Sequence, residues 1–163
     1  MKGQRRRVYP TAEELRIWRD FTETAQALRG ELASRLQKEC SLSPGDYSVM
    51  LALSETDGSR LRSSELAALV GWERSRLSHH LGRMERRGLI LRVECATDSR
   101  GAEVVLTDQG ARAFREAALP HLRAIRELFV DPLAPEQLAA VGLIVATLRA
   151  GLDAARPQVR VLA

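Results

Sequence analysis

The 163-residue sequence predicts a mainly α-helical protein with one small β-hairpin. Three observations predict this fold class. Apolar residues recur at three- and four-residue steps along residues 12–38 and 135–152, which is the period of an amphipathic helix. Capping residues, proline and glycine divide the middle of the chain into short helices. Residues 89–95 and 102–107 are instead two short β-rich runs separated by a polar turn, and they indicate a hairpin.

Composition limits the function classes. The chain has 25 basic and 21 acidic residues, so its charge admits a nucleic-acid partner without proving one. Two cysteines cannot form a disulfide framework, and no Cys/His cluster predicts a metal or another cofactor. No phosphate loop, zinc-protease motif or nucleophile–base pair predicts an enzyme. Because the apolar runs are shorter than a membrane span, we expect a soluble, cytoplasmic protein.

The N-terminal part combines a basic arm with a long helix. Residues 1–10 carry four cations and no acid, and we expect a flexible arm there. Thr11 and Glu14 form a capping box that starts a helix over residues 11–39. This helix is roughly 40 Å long at 1.5 Å per residue, which is longer than a small core can cover. We therefore expect it to pack against a second copy of the chain.

Three short helices are predicted between residues 43 and 88, followed by the hairpin. The first begins at Ser43-Pro44-Gly45-Asp46, with an inward side formed by Tyr47, Met50, Leu51 and either Leu53 or Ser54. The second begins at Ser63-Ser64-Glu65 and ends at Gly71, with an inward side formed by Leu66, Leu69 and Val70. The third runs from about Arg74 to Arg87 and is ended by Gly88. This order is that of a winged helix-turn-helix core, over residues 43–107.

The third short helix has an apolar face and a cationic face. Projection at 100° per residue places Leu77, Leu81 and Met84 inward. The opposite face has no acid, and it consists of Ser75, Arg76, His79, Gly82, Arg83 and Arg86. Because arginine can donate to guanine O6 and N7, this face predicts a helix that enters the DNA major groove. The neighbouring His80 is expected at the edge of the core.

The candidate DNA contacts divide into three kinds. Base edges are expected to meet Arg76, His79 and Arg83. Phosphates are expected to meet Arg74, Arg86, Arg87 and the arm residues Arg5, Arg6 and Arg7. At the hairpin tip, Arg100 is expected in the minor groove, held in position by Asp98.

The C-terminal part is predicted to form further helices over residues 108–155. They start at Thr107-Asp108-Gln109-Gly110 and at Pro135. Together with residues 11–39 they are expected to be dimerisation helices, so that residues 11–155 form one domain. Residues 156–163 have no pattern and are expected to be a tail.

Residues 63–110 resemble the multiple-antibiotic-resistance regulator (MarR) family of bacterial transcription factors. The similar segments are SSELAALVG, SRLSHHLGRMERRGLI and TDSRGAEVVLTDQG. The wing of this family typically reads Asp-x-Arg before a strand and Leu-Thr-x-x-Gly at the next helix start. Trp72 and Glu73 depart from the usual small turn residue and the usual helix cap. The helix order fits nearly the whole chain.

The resemblance implies a homodimer, held by its first and last helices, that binds a palindromic operator as a repressor. Half-sites one helical turn apart would lie about 10 bp, or 34 Å, from each other. Such regulators often lose DNA affinity when a small aromatic or phenolic ligand, or an oxidant, acts on them. The implied ligand, aromatic or anionic, would bind between the dimer helices and the winged core, with candidate lining from Trp18, Phe21, Tyr47, Arg16 and Arg19.

Two alternatives stay open. Cys40, near the end of the first helix, is a candidate redox sensor, with Cys95 a weaker one, although a free cysteine is more often a small buried apolar residue. A winged helix can also serve as a protein-interaction module. That alternative predicts acidic or apolar side chains at positions 75, 76, 79, 83 and 86, where the sequence instead has one serine, one histidine and three arginines.

Overall fold

The computed structural model of the chain describes residues 8–94 and 102–155. In these ranges the predicted helix order is confirmed. The helices are α1 (Ala12–Cys40), α2 (Pro44–Ser54), α3 (Ser63–Val70), α4 (Arg74–Arg86), α5 (Asp108–Ile125) and α6 (Pro135–Ala155). The strands are β1 (Arg60–Arg62), β2 (Ile90–Glu94) and β3 (Ala102–Leu106). A short 3₁₀ turn spans Asp57–Ser59, and a π-helical turn spans Arg126–Val130.

The capping box that the sequence predicts at Thr11 is present, and the predicted helix start at Ser43 also has one. The Thr11 hydroxyl accepts from the Glu14 N–H at 3.2 Å, and the Glu14 carboxylate accepts from the Thr11 N–H at 2.6 Å. Ser43 and Asp46 make the same reciprocal pair at 3.1 and 2.9 Å. Each pair satisfies N–H groups that a helix start leaves without an intrahelical partner. The starts of α1 and α2 therefore lie where the sequence places them.

The sheet extends the predicted hairpin by one strand. β2 and β3 pair antiparallel with Ile90 opposite Leu106, and β1 adds to the other edge of β3 with Leu61 opposite Val104. The sequence did not predict β1, because its three residues contain a single apolar side chain and show no alternation. This strand fixes the start of α3 against the hairpin, since the Ser63 hydroxyl donates to the Ala102 carbonyl at 2.9 Å.

The core of the winged part lies between α2, α3, α4 and the sheet. Its fully buried side chains include Leu42, Val49, Met50, Leu53, Leu66, Leu77, Leu81, Met84, Ile90 and Val104. Two predicted inward positions are wrong, because Leu51 is 37% exposed and Leu69 is 63% exposed. In α3 the buried arc contains Leu66 and Ala67 instead, since the small Ala67 side chain allows neighbouring elements to pack closely.

The chain divides into two compact units, one ending at Ala124 and one beginning at Ile125. In the first unit, Leu36 is the only buried residue of α1, while Leu15, Trp18 and Phe21 are about half exposed or more. The amphipathic stripe of α1 therefore lies largely open to solvent in the single chain.

The second unit contains the π-helical turn and α6, in which no residue is buried. The prediction that the chain has no stretch of membrane-span size needs correction here. The 21-residue α6 is long and apolar enough to cross a membrane, with a mean hydropathy of 1.6 over 18 of its residues. Scattered polar residues interrupt its apolar runs without lowering the average much, so the length of the runs does not reveal this stretch. Core helices of soluble proteins share this length and composition.

Candidate nucleic-acid interface

Helix α4 presents a buried side and a cationic exposed side. The buried side consists of Leu77, His80, Leu81 and Met84. The exposed side includes Arg74, Ser75, Arg76, His79, Arg83 and Arg86. The structure thus places the predicted face in solvent and His80 in the core, where it is 7% exposed. Glu85 is the acid within this helix, and its carboxylate is held by Arg92 of β2 at 2.7 Å.

The two ends of α4 are fixed by turns. Gly71 has a left-handed backbone with φ of 68°, and the Trp72 N–H then donates to the Ala67 carbonyl at 2.9 Å. This reversal brings α4 back across α3, as a helix-turn-helix requires. Glu73 precedes α4 without a capping hydrogen bond from its side chain, in line with its departure from the usual cap. At the other end Gly88, with φ of 72°, starts the return into β2.

A buried carboxylate joins α2 to α4. Asp46 is 3% exposed, and its Oδ2 accepts from the Ser43 N–H at 2.9 Å and from Arg87 Nη1 at 2.7 Å. Its Oδ1 lies 3.0 Å from Nε2 of His80, without the alignment of an ideal hydrogen bond. Arg87 also donates to the Ser41 carbonyl at 2.6 Å. We call Asp46, His80 and Arg87 the Asp46 cluster.

The charge states in the Asp46 cluster follow from its contacts. Burial raises the pKa of Asp46, but the hydrogen bonds from Ser43 and Arg87 outweigh burial, so its pKa lies below the ordinary value. Burial lowers the pKa of His80, and the opposing effect of the Asp46 carboxylate does not cancel it. Near neutral pH the cluster therefore contains an ionised Asp46 and a neutral His80.

The structure gives Arg87 a different environment from the one that the sequence predicts. Its guanidinium is directed to Asp46 and the Ser41 carbonyl, so a phosphate would have to compete with two acceptors that it already has. Sequence reasoning missed this role, because Asp46 lies 41 residues away from Arg87 and no local pattern connects them.

Both predicted base-reading arginines are held by neighbouring rings. The Arg83 Nη2 lies 2.8 Å from Nδ1 of His80. The Arg76 guanidinium lies 4.5 Å from the centroid of the Trp72 ring, in a cation–π contact. Trp72 in turn meets His80 edge-on, with the ring centroids 5.0 Å apart. The large residue at the turn thus supports the exposed face of α4.

An open cleft of about 520 Å³ runs beside this face. It is lined by Pro44, Gly45, Trp72, Arg76, His79, His80 and Arg83. Gly45 is required for the close approach of α2, since a Cβ there would lie 2.7 Å from the Trp72 ring and 2.8 Å from the His80 ring. The cleft walls combine cationic groups with an aromatic surface, which suits a polyanion.

The hairpin is anchored directly at the end of α4. The Thr107 hydroxyl donates to the Gly88 carbonyl at 2.6 Å and accepts from the Gly110 N–H at 2.9 Å, while the Thr107 N–H donates to the Leu89 carbonyl at 3.2 Å. We call this group of contacts the Thr107 clasp. The predicted tip residues Asp98 and Arg100 lie outside the described residues, as do Arg5, Arg6, Arg7 and Cys95.

The candidate effector residues do not form one site in the described part of the single chain. Tyr47 packs on Phe114 at 5.2 Å and on His121 at 4.5 Å between ring centroids, and sequence reasoning did not select these two partners. Trp18 and Phe21 are 63% and 50% exposed. Arg16 pairs with Glu13 at 2.6 Å, and Arg19 is exposed.

Cys40 is partly buried, and its surroundings disfavour the thiolate. Burial, followed by the Glu39 and Glu116 carboxylates, raises the pKa of the Cys40 thiol. A raised pKa reduces the thiolate fraction, and the thiolate is the form that oxidants attack. Within residues 8–94 and 102–155, no three His, Cys, Asp or Glu side chains are grouped as metal ligands would be.

Comparisons with solved structures identify close relatives. AbsC, a MarR family transcriptional regulator from Streptomyces coelicolor, is 34% identical, with a TM-score of 0.83 over 91% of this chain and 99% of that one. Sco3205, another MarR family regulator from the same organism, is 36% identical in its complex with DNA, with a TM-score of 0.84 over 91% and 93%.

A more distant match shares the fold. The organohalide-sensing regulator RdhR-CbdbA1625, in its 2,4-dichlorophenol-bound form, is 17% identical, with a TM-score of 0.76 over 91% of this chain and 89% of that one. A scan against protein-family profiles and a search of curated proteins give no match.

Proposed function

Since the chain belongs to the MarR family of transcriptional regulators, we propose that it is a homodimeric repressor that binds a pseudopalindromic DNA operator sequence-specifically. Its relatives are transcriptional regulators, and an enzymatic activity is not part of the proposal. Operator binding also requires access to the chromosome, which supports a cytoplasmic location.

The observation that carries the proposal is the exposed face of α4. Arg76, His79 and Arg83 are exposed together on that face, and the acid of the helix, Glu85, is paired with Arg92. A solvated surface helix usually mixes both signs of charge, whereas a major-groove helix needs donors directed at base edges and phosphates. The protein-interaction alternative predicted acidic or apolar side chains on this face, so the arrangement favours DNA. The complex of Sco3205 with DNA supports the same conclusion.

We assign roles by position on the face. Arg76, His79 and Arg83 would contact base edges, with Ser75 beside them, while Arg74 and Arg86 would contact phosphates. Asp98 and Arg100 keep their predicted role in the minor groove. Arg87 is better explained as a link between α4 and the α1–α2 junction than as a phosphate contact, because its guanidinium donates to two protein acceptors.

The open apolar faces support the dimer. Exposed apolar side chains of α1 include Leu15, Ile17, Trp18 and Phe21, and those of α6 include Leu143, Ile144, Leu148 and Leu152. Many exposed apolar side chains on one helix are unusual for a soluble monomer and mark an interface. A two-fold dimer would bury the same apolar face of each helix on both copies and present two α4 helices to successive major grooves.

A small aromatic or anionic effector is the least supported part of the proposal. Its support is the dichlorophenol-bound form of the distant relative, together with the aromatic group around Tyr47. Such a ligand acts only by binding one dimer geometry more tightly than another. A panel of phenols and aryl carboxylates is expected to contain a compound that shifts both the melting temperature and the operator affinity. If no compound shifts either, the effector is abandoned.

The DNA proposal is tested by selecting duplexes from a random library with the purified protein. We expect a pseudopalindrome whose half-site centres are about 10 bp apart. With that duplex, Arg76→Ala and Arg83→Ala should each cost about 1–3 kcal/mol and relax specificity at one base pair per half-site. Arg86→Ala should weaken binding to all sequences and lower the salt slope by about one unit for each phosphate that the arginine neutralises.

The same experiment can contradict the proposal in two ways. Equal, sequence-independent losses of affinity from the three substitutions would show that α4 contacts only phosphates and does not read bases. No loss from any of them would show that another surface binds DNA, or that DNA is not the partner.

A further inference from the structure

Behind the exposed arginines of α4, a chain of buried polar contacts runs from Asp46 through His80 to Arg83. We propose that His80 is a positioning residue, which Asp46 holds in place so that it orients the Arg83 guanidinium for base recognition. His80 does not itself touch DNA. This inference rests on the proposed function, in which Arg83 contacts a base edge.

Burial separates the role of His80 from that of its neighbours. His80 is 7% exposed, whereas Arg83 and the adjacent His79 are exposed on the helix surface. Nδ1 of His80 lies 2.8 Å from Nη2 of Arg83, so one end of the guanidinium is fixed by a buried ring. The other N–H groups of the fork stay available for a base. A long side chain that is held before binding loses less freedom when it meets DNA.

The contact with Arg83 determines the tautomer of His80. An arginine side chain only donates, so Nδ1 must accept and the ring proton of the neutral form lies on Nε2. Nε2 is the atom that lies 3.0 Å from Oδ1 of Asp46. The carboxylate therefore favours the tautomer that leaves Nδ1 free to accept, as the partner of a histidine commonly does.

Asp46 is itself held from both sides of the helix pair. The Ser43 N–H at the start of α2 and the Arg87 guanidinium at the end of α4 both donate to its Oδ2. Trp72 closes another side of the His80 ring and also carries Arg76. The orientation of Arg83 is thus built from residues distributed over residues 43–87, and not by α4 alone.

Protonation of His80 should change base discrimination with pH. A residue that only supports the fold would not produce this pH dependence. The charged groups facing the ring are Asp46 from α2 and Arg76 and Arg83 from α4, with Arg87 acting through Asp46. A proton on Nδ1 removes the acceptor for Arg83 and adds a positive charge beside it. Burial keeps the pKa of His80 below its ordinary value, so this change belongs to mildly acidic pH.

The test is a double-mutant cycle on the selected duplex and on a duplex changed at the base pair that Arg83 reads. His80→Leu is expected to lower discrimination between these duplexes roughly fivefold, the size of a coupling between contacting residues. In the Arg83→Ala background, His80→Leu should cost no further discrimination. The matched control is Arg86→Ala. In that background His80→Leu should lower discrimination by the same factor as in the wild type, because the described contacts of the His80 ring do not involve Arg86.

The outcomes separate the inference from the function on which it rests. If His80→Leu costs the same with and without Arg83, His80 only supports the fold and the inference is overturned, while the DNA proposal stands. If Arg83→Ala alone relaxes no base pair, the proposed role of Arg83 fails first and the inference fails with it.

The pH profile decides the question if His80→Leu does not fold. Wild-type protein should lose discrimination between the duplexes as pH falls below the ordinary histidine value of 6.5, and this pH dependence should be absent from the Arg83→Ala variant. Discrimination that stays constant from about pH 7.5 to the onset of acid unfolding would overturn the inference.

Discussion

At the scale of single residues, Asp46 connects more of the structure than any local pattern indicates. It caps α2 through the Ser43 N–H and pairs with Arg87, and it stays ionised while buried. Asp46→Ala should lower the free energy of unfolding by about 2–4 kcal/mol. This loss of about 2–4 kcal/mol is the sum expected from removing the helix cap and breaking a half-exposed ion pair.

Urea unfolding monitored by circular dichroism would measure this loss. Asp57→Ala is the matched control, because Asp57 is an exposed acid at the start of the 3₁₀ turn. We expect the control to change the free energy of unfolding by less than about 0.5 kcal/mol. Equal effects of the two substitutions would show that the cap and the Asp46–Arg87 ion pair contribute nothing.

The buried His80 and the half-buried His121 give stability a defined pH dependence. Burial lowers the pKa of both His80 and His121 below the ordinary value of 6.5, so the unfolded chain binds more protons than the native one in mildly acidic solution. The free energy of unfolding should therefore rise with pH up to about 6.5 and then level off. Asp46, with its pKa held below 3.8, should contribute stability above that pH and lose it on further acidification.

Urea midpoints measured between about pH 2 and pH 8 would show these two phases. Replacing both His80 and His121 with Leu should remove the phase nearer neutrality and leave the one at lower pH. A wild-type midpoint that is constant from about pH 5 to pH 7 would contradict the assignment.

Single-residue predictions from sequence succeed where one helix face decides the matter. Projection alone separates exposed His79 from buried His80, because neighbouring residues on a helix point about 100° apart. The same method cannot find the Asp46 cluster or the stacking of Arg76 on Trp72. Those contacts depend on how α2, the turn at Gly71 and α4 cross in space.

At the scale of elements, Gly82 lowers the helix propensity of α4, and no close contact within the described protein requires a glycine there. A Cβ at this position would meet only the Arg86 guanidinium, at 3.8 Å. Gly82→Ala should therefore raise the stability of the fold by up to about 1 kcal/mol, the difference in helix propensity. It should at the same time weaken operator binding, because the methyl group would lie on the side of α4 that is proposed to face DNA.

Thermal unfolding and operator titration of the same variant would test this opposition. Gly110→Ala provides the contrast, since a Cβ there would lie 2.0 Å from the Leu89 carbonyl oxygen and must destabilise the fold. If Gly82→Ala binds the operator as tightly as the wild type, the glycine is not required for close approach to DNA.

The elements themselves were predictable to different degrees. The starts of α1 and α2 follow from capping boxes, and the ends of α3 and α4 follow from Gly71 and Gly88, because these signals are local. β1 and the π-helical turn at Arg126–Val130 have no comparable signal. β1 exists because β3 offers it an edge, and pairing with a distant strand cannot be read from three residues.

At the scale of the whole molecule, the dimer makes the sharpest prediction. Ile144 and Leu148 of α6 are 55% and 50% exposed, and replacing both with Glu should place charges in the proposed interface. We expect the wild type to show twice the chain mass of 18.1 kDa in light scattering, and the double variant to approach the mass of one chain. Its affinity for a full palindrome should fall more than its affinity for a half-site.

Leu69→Glu is the control for added charge, since Leu69 is 63% exposed on α3 and lies outside the proposed interface. This variant should keep the wild-type mass. A monomeric wild type, or a double variant that remains dimeric at micromolar concentration, would contradict the assignment of α6 to the interface.

The Thr107 clasp separates the position of α4 and α5 from the length of the hairpin between them. The chain leaves the end of α4 at Gly88, and Thr107 is hydrogen-bonded to the carbonyls of Gly88 and Leu89. The two ends of the intervening segment are therefore held together. Doubling the length of such a loop costs only about 0.6 kcal/mol in closure entropy. We therefore expect that the segment between β2 and β3 can be lengthened, shortened or exchanged with that of a relative while α4 and α5 keep their places. Because Arg100 in this segment is proposed to contact the minor groove, such changes would alter recognition of the DNA that flanks an operator and leave the proposed recognition helix α4 unchanged.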